Sequence, residues 1–289
     1  MDRYLYKKSK NYRKLNYLKR VLGSRKDLEY LYKIEGTSKR DFGYNILLEE
    51  MDKMFLDLGK MNLKNWLSIC SAPGYYDEYI YDSSKKKAKG TGVTLGVKDG
   101  GLEFTRKVPN FTVKYMDIMV QKYKSRTKFE FIITGCLDMN IDKKNRYYND
   151  MLVLSSMLFG LENLKNGGVF ALKTSMKNMN LLSNIIYMFN NLFGTVKTFK
   201  STKELTHRSS CYVIGFNYKY GKSKLEDDKN KHLTFLKDLF NAYNAGQHNK
   251  ISKFSHDLLF NIPQEGKEVE RLINNLITTQ IKCINRLLN

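Results

Sequence analysis

The strongest constraint in this sequence is an alternation of short, almost unbroken apolar runs with stretches of helical spacing. The runs are NWLSIC (65–70), GTGVTLGV (90–97), NFTVKYMDI (110–118), FEFIITGCL (129–137) and VFALKTS (169–175). Between them, helical spacing recurs at 45–59, at about 76–81, at about 146–165 and at 181–193. In the first of these, Leu47, Leu48, Met51, Met54, Phe55 and Leu58 repeat every three or four residues and Gly59 gives a stop, while Asn166-Gly167-Gly168 ends the third. Strands apolar on both faces need cover on both faces. Alternating with helices, they predict a doubly wound, mostly parallel sheet. TVKTFKS and the run at 209–217 read as a closing pair, so the core spans about 60–218.

The flanks differ from this core. Residues 1–37 form a basic extension in which Lys7, Lys8, Lys10, Arg13, Lys14, Lys19, Arg20, Arg25 and Lys26 interleave with Tyr4, Tyr6, Tyr12 and Tyr17. Such tyrosines either stack on unpaired bases while the cations meet phosphates, or turn inward from a solvated basic helix. After the domain at 38–218, residues 219–232 are a polar linker and 233–289 a helical appendage. Within it LTFLKDLFNAY, FSHDLLFNI and VERLINNLITTQIKCINRLL predict three helices. Leu272, Ile273, Leu276, Ile277, Ile281, Ile284 and Leu288 form a stripe that must be buried, on the core or against a partner such as a polymerase or capping subunit.

Charge narrows the partners. Fifty Lys and Arg against 29 Asp and Glu leave a net charge of +21, which attracts polyanions and releases their counterions. Nucleic acid leads, ahead of an anionic membrane surface or an acidic protein. No run approaches 18 apolar residues, so no membrane span is expected, and the first twenty residues lack the apolar stretch of a secretory signal. Cys70, Cys136, Cys211 and Cys283 are far apart with no C-x-x-C pair, which argues against a zinc ribbon and for buried free thiols in a reducing compartment. The four histidines are scattered, and no metal site is expected.

Ligands of open parallel sheets bind beyond the carboxyl ends of the strands. Ser71-Ala72-Pro73-Gly74 sits at such an end and enters a helix; its small residues let backbone N–H groups approach a ligand, or serve only to turn the chain. The string LSICSAPGYYDEYIYDSSKKKAKGTGVTL resembles the FtsJ-like family of S-adenosylmethionine-dependent RNA 2′-O-methyltransferases. Viral cap methyltransferases carry a similar string, D-L-C-S-A-P-G-G-F-S-E-Y-L followed by G-x-G-I-T-L. The resemblance covers about 38–217 and is sharpest at Cys70–Gly74 and Gly90–Leu95. It implies a Rossmann-like α/β methyltransferase sandwich with a mostly parallel seven-stranded sheet and a helical C-terminal appendage. It also implies S-adenosylmethionine held by Ser71, Ala72, Pro73, Gly74, Tyr75, Thr94, Leu95, Asp117 and Ile118, with Asp117 toward the adenine.

The family's chemistry uses a Lys-Asp-Lys-Glu tetrad, whose second lysine deprotonates a ribose 2′-hydroxyl. Lys173 falls on that position; otherwise it is an ordinary lysine reaching solvent from a strand end. The other three positions depart: Tyr44 or Asn45 stands for the first lysine, Gly135 for the aspartate and Ser210 for the glutamate. Asp138, three residues on, replaces the aspartate if its loop is shifted. Ser68 stands where strand one normally carries an acid, and Tyr75 replaces the second glycine of the turn, so the cofactor is expected to bind weakly or not at all. Lys39, Arg40 and Arg208 are the RNA-contact candidates, Arg208 being alternatively a solvated loop residue; Lys85, Lys86, Lys87 and Lys89 read mainly as a solvated loop. Two functions compete. One is a catalytically degenerate RNA-binding or scaffolding subunit; the other is an active (cap) RNA 2′-O-methyltransferase using Lys173 as base. Likeness to viral mRNA-capping enzymes points to a viral or virus-derived protein acting in the cytoplasm.

Overall fold

The computed structural model describes residues 5, 7, 9–28, 40–120, 125, 127–136, 148–204, 206–219, 233–234, 236–238, 241, 245 and 263–289. Its strands are β1 (Asn65–Ile69), β2 (Lys89–Thr94), β3 (Phe111–Tyr115), β4 (Phe129–Thr134), β5 (Leu164–Ser175), β6 (Phe193–Phe199) and β7 (Ser210–Tyr218). Its helices are α1 (Lys10–Ser24), α2 (Arg40–Met51), α3 (Tyr75–Ser83), α4 (Tyr148–Asn163), α5 (Met179–Leu192) and α6 (Pro263–Leu288). The strands form one seven-stranded sheet in the order β3-β2-β1-β4-β5-β7-β6. β1 pairs in parallel with both β2 and β4, β2 with β3 and β4 with β5, whereas β7 runs antiparallel to both β5 and β6. This is the doubly wound, mostly parallel sheet that the alternation predicts, with the seven strands that the resemblance implies.

Period-two alternation sends successive side chains to opposite faces. Leu67 and Ile69 of β1, Ile132 of β4 and Phe170 and Leu172 of β5 join one core with α1, α4, α5 and α6. Trp66, Phe131, Ile133, Ala171, Tyr212 and Ile214 join the other, under Leu47, Leu48 and Met51 of α2 and Tyr76 and Ile80 of α3.

Element ends depart from the periodicity in three places. α2 begins at Arg40 and runs into a wider π-type turn at Asp52–Leu56, closed by Asp57 in the left-handed region (φ 52°) rather than by Gly59. β2 stops at Thr94, before a short 3-10 turn at Val97–Asp99. α4 ends at Asn163, not at Asn166–Gly168, and passes straight into β5. Asn163 makes this possible: its Nδ2 donates to the Phe159 carbonyl (2.8 Å) and its Oδ1 accepts from the Ser125 N–H (2.8 Å). The Asn-Gly-Gly segment then lies where the β4–β5 register shifts, with Gly167 left-handed (φ 77°).

The C-terminal stripe is covered by the chain itself. Leu272, Ile273, Leu276, Ile277, Ile281 and Ile284 are buried in the same core as Leu15, Leu18 and Leu22 of α1. Thr198 Oγ1 donates to the Leu272 carbonyl (3.1 Å) and Gln280 Nε2 to that of Thr206 (2.8 Å), fixing α6 along β6 and the β6–β7 loop. The stripe is thus a core surface, the first of the two alternatives that its periodicity leaves open. Of the other two expected C-terminal helices, FSHDLLFNI lies outside the described residues, and 233–234, 236–238 and 241 are helical. No helix among the described residues is long and apolar enough to cross a membrane.

Leu276→Ala should cost about 2–5 kcal/mol of unfolding free energy in a urea titration. Lys282→Ala, at an exposed position of the same helix, should stay within about 0.5 kcal/mol. Equal, small effects would show that α6 does not pack on the core.

Candidate functional site

In this strand order the chain reverses direction of winding between β1 and β4, so the ligand crevice opens above their carboxyl ends. Backbone hydrogen bonds knit that rim together. The Ser71 N–H donates to the Val93 carbonyl (3.1 Å), Met116 to Thr94 (2.9 Å) and Gly135 to Ile69 (2.8 Å). The turn after β1 bends through Cys70 (φ 57°) and Gly74 (φ 104°), both left-handed, and Gly74 caps α3. Ser71, Ala72, Pro73, Gly74, Thr94, Leu95, Asp117 and Ile118 therefore lie on or beside one rim, as the resemblance implies. Asp117 Oδ1 accepts from the Met119 N–H (2.8 Å) and fixes the turn that follows β3.

The two glycines of β2 have a packing role. A Cβ at Gly90 would meet the Phe111 and Trp66 rings at 2.3 Å, and one at Gly92 would meet Ser71 Oγ at 2.5 Å and Phe111 at 2.6 Å. Their absence of side chains admits the stacked pairs Trp66–Phe111 (centroids 5.7 Å apart) and Phe111–Phe104 (5.3 Å). Tyr75 is turned into a second aromatic contact: it is buried, with the Arg106 guanidinium 4.2 Å above its ring. Phe104 and the Arg106 Cβ close against Gly74, and the Thr105 and Arg106 N–H groups donate to the Pro73 carbonyl (3.2 and 3.3 Å). The segment after β2 thus straps the outside of the turn.

Helix α3 brings an acid against strand one. Asp77 of α3 is completely buried; its Oδ1 accepts from Trp66 Nε1 (2.9 Å) and from Ser68 Oγ, while Oδ2 has no hydrogen-bond partner among the described residues. Burial pushes its carboxyl up to about 7, against the lowering effect of the Ser68 and Trp66 hydrogen bonds. Sequence alignment to the family missed this residue. The signal was there in its place, one helical turn from Gly74 and beside a serine-bearing strand.

Of the two residues expected to carry the chemistry, Lys173 is described and Asp138 is not. Lys173 stands near the end of β5, directly opposite Tyr212, and is only 1% exposed. Its N–H donates to Thr134 Oγ1 (2.8 Å). This buried placement corrects the alternative of a lysine reaching solvent. Tyr212 shares a 2.5 Å hydroxyl–hydroxyl hydrogen bond with Tyr76. At Gly135 a Cβ would come within 2.9 Å of the Cys70 carbonyl oxygen and 3.5 Å of the Tyr76 ring, so no carboxylate fits there without moving backbone. Ser210 begins β7 opposite Ser175. Asn45, at the first-lysine position, is half-buried in α2, and its Oδ1 has no hydrogen-bond partner among the described residues. Asp138 and Lys39 lie outside the described residues, and Arg40 opens α2. Lys85, Lys86 and Lys87 are exposed beyond α3, as a solvated loop.

Two further features of the rim were not foreseen. Cys70 and Cys136 form a disulfide (Cα–Cα 5.0 Å) across the crevice between β1 and β4. This corrects the expectation of four free thiols, and for that pair it removes the basis for a reducing compartment; Cys211 and Cys283 are free and buried. Both cysteines end apolar strands, and only the sheet order makes them neighbours. The second feature is the β6–β7 loop, which also lies at the carboxyl end because β6 runs with β5. There Lys200 is buried and thereby lowered to about 8, partly offset by the nearby Cys283, Cys211 and Glu50. Burial works to raise the Glu50 carboxyl, but hydrogen bonds from Ser201 and Thr202 outweigh it and hold the group below its usual range. Arg208 is half-buried in this loop.

Because Asp77 keeps its proton to about pH 7 when folded and releases it near pH 4 when unfolded, its contribution to stability falls as pH rises through that window. The stability of wild type relative to Asp77→Asn should therefore drop between pH 4 and 7, by at most about 4 kcal/mol. Parallel pH profiles in urea titrations would refute a buried, proton-bearing Asp77. Alkylation of the denatured, unreduced protein should label two thiols, and four after reduction; four before reduction would rule out the Cys70–Cys136 link.

Known proteins were compared with the whole chain. No curated protein sequence matches it. Among solved structures, a Plasmodium falciparum protein assigned as a ribosomal RNA methyltransferase aligns over 60% of this chain and 96% of its own, with 19% identity and a TM-score of 0.46. A Haemonchus contortus phosphoethanolamine N-methyltransferase aligns over 82% and 56%, with 10% identity and a TM-score of 0.45. A Corynebacterium glutamicum protein assigned as a spermidine synthase aligns over 63% and 66%, with 14% identity and a TM-score of 0.41. Likeness at this level concerns the path of the chain and not the substrate. The model of the FtsJ-like methyltransferase family matches residues 47–218, more than half of the sequence and the whole of the sheet just described, and the chain belongs to that family.

Proposed function

We propose that this protein binds RNA and S-adenosylmethionine through an RNA-methyltransferase fold whose catalytic quartet has been dismantled. Family membership implies the cofactor, and the rim suits it. Ser71 Oγ is buried close against Gly92 with no hydrogen-bond partner among the described residues, and the turn bends through the left-handed Gly74. Ser71, Gly74 and Thr94 would hold the cofactor's polar groups, and Asp117 its adenine. When bound, the cofactor supplies an electrophilic methyl group.

The observation carrying the degenerate reading is the closure at Gly135. The Cys70 carbonyl, beside the disulfide, occupies the room a catalytic aspartate would need. Gly135 and Ser210 bring no carboxylate to the positions where the resemblance places the family's aspartate and glutamate. Loss of a positioned general base typically forfeits about 10²- to 10⁴-fold in rate. The net charge of +21 supports a polyanionic partner. Similarity to the viral cap-methyltransferase string supports a virus-derived protein acting on capped mRNA. A second reading, active 2′-O-methyl transfer, is favoured by one observation: Lys173 is buried at the mouth of the sheet rather than extended into solvent. There its amine would take the proton of a ribose 2′-hydroxyl.

Calorimetric titration should give micromolar S-adenosylmethionine binding, and capped RNA should acquire no methyl group above the level of Lys173→Ala. Methyl transfer that Lys173→Ala abolishes would establish the second reading instead. Failure to bind at millimolar cofactor would remove the cofactor from both.

A further inference from the structure

Helix α1 lies outside the segment that matches the family, and its two faces differ sharply. Leu15, Leu18 and Leu22 are buried against α6 in the main core. Lys10, Arg13, Lys14, Tyr17 and Arg20 recur at spacings of three and four and are all exposed, Tyr17 by 65%. Residues 7–26 hold nine cations and no carboxylate. Lys10, Lys14 and Arg20 have no ion-pair partner among the described residues, whereas on α6 Arg271 is neutralised by Glu268 at 2.5 Å. A stripe from Lys10 to Arg20 spans about 15 Å.

This stripe is connected to the mouth of the sheet. α6 carries α1 on one side and, through Gln280 and Cys283, touches the carbonyls of Thr206 and Ser201 in the β6–β7 loop. Lys19 stands close enough to Lys200 and Cys211 for its charge to act on both. Both of those residues lie at the end of the sheet that holds Lys173.

The geometry points to the outer face of α1 as a docking ridge for single-stranded RNA, continuing the RNA path from the β6–β7 loop. Cations at one-turn intervals match a phosphate backbone, and an exposed tyrosine among them offers a stacking platform for an unpaired base. A membrane surface suits the ridge poorly, because an interfacial helix needs a free apolar face and that of α1 is already buried on α6. The inference rests on the reading of the chain as an RNA binder.

The test is fluorescence anisotropy of a labelled oligouridine against the full-length protein over a range of salt concentrations. The triple variant Lys10→Gln, Lys14→Gln, Arg20→Gln should lower the slope of log affinity on log salt by about 2, at about 0.7 per phosphate contact on a single strand. Tyr17→Ala should weaken binding about 5-fold or more with the slope unchanged. Unchanged urea midpoints would show that both variants fold. Wild-type affinity and slope in the triple variant would overturn the ridge while leaving RNA binding intact. No oligouridine binding by the wild type at low salt would overturn the RNA reading and the ridge with it. Retention of wild type, but not the triple variant, on anionic phospholipid vesicles, with oligouridine unbound, would assign the ridge to membranes.

Discussion

A fully buried carboxyl group anchors the ligand end of this protein. Asp77 reaches from the first turn of α3 back to Trp66 and Ser68 on β1 and so ties the helix to the strand on either side of the Ser71–Gly74 turn. Burying a charge is costly, and here the structure meets the cost by holding the proton on the group up to about pH 7. Around this tie the aromatic layer is built: Trp66 stacks on Phe111, Phe111 on Phe104, and Phe104 closes on Gly74. The turn is thus supported from beneath by Asp77 and from outside by the strap at 104–106.

The same tight packing that stabilises the rim limits its chemistry. Cys70 turns left-handed, its carbonyl faces Gly135, and the disulfide to Cys136 spans the junction of β1 and β4. A family member with an aspartate at Gly135 needs that space open. Here a small residue is required for close backbone approach. Lys173 is placed by the register of β5 on β7 and by its N–H bond to Thr134 of β4.

The flanking helices belong to the body of the protein. α1 and α6 share a core with α4 and α5, and α6 also holds the β6–β7 loop. A basic surface and the mouth of the sheet are thereby parts of one packed unit.

Much of this was legible in the sequence. Apolar runs alternating with helical spacing determined the parallel sheet, because strands buried on both faces admit few other covers. Ser71–Gly74, Thr94, Asp117 and Lys173 could be placed from motif spacing, since each sits a fixed distance from a strand end. What sequence could not settle depended on contacts between distant segments. The contact of Asp77 with Trp66 and Ser68, the joining of Cys70 to Cys136 across 66 residues, and the closure at Gly135 all arise where other elements meet β1 and the turn that follows it. The stripe of α6 likewise announced that it had to be buried, but only the packed structure decided that α1 and the sheet's own helices would cover it. Periodicity fixes which face of an element is apolar. Which face it meets is set by the three-dimensional order of the strands.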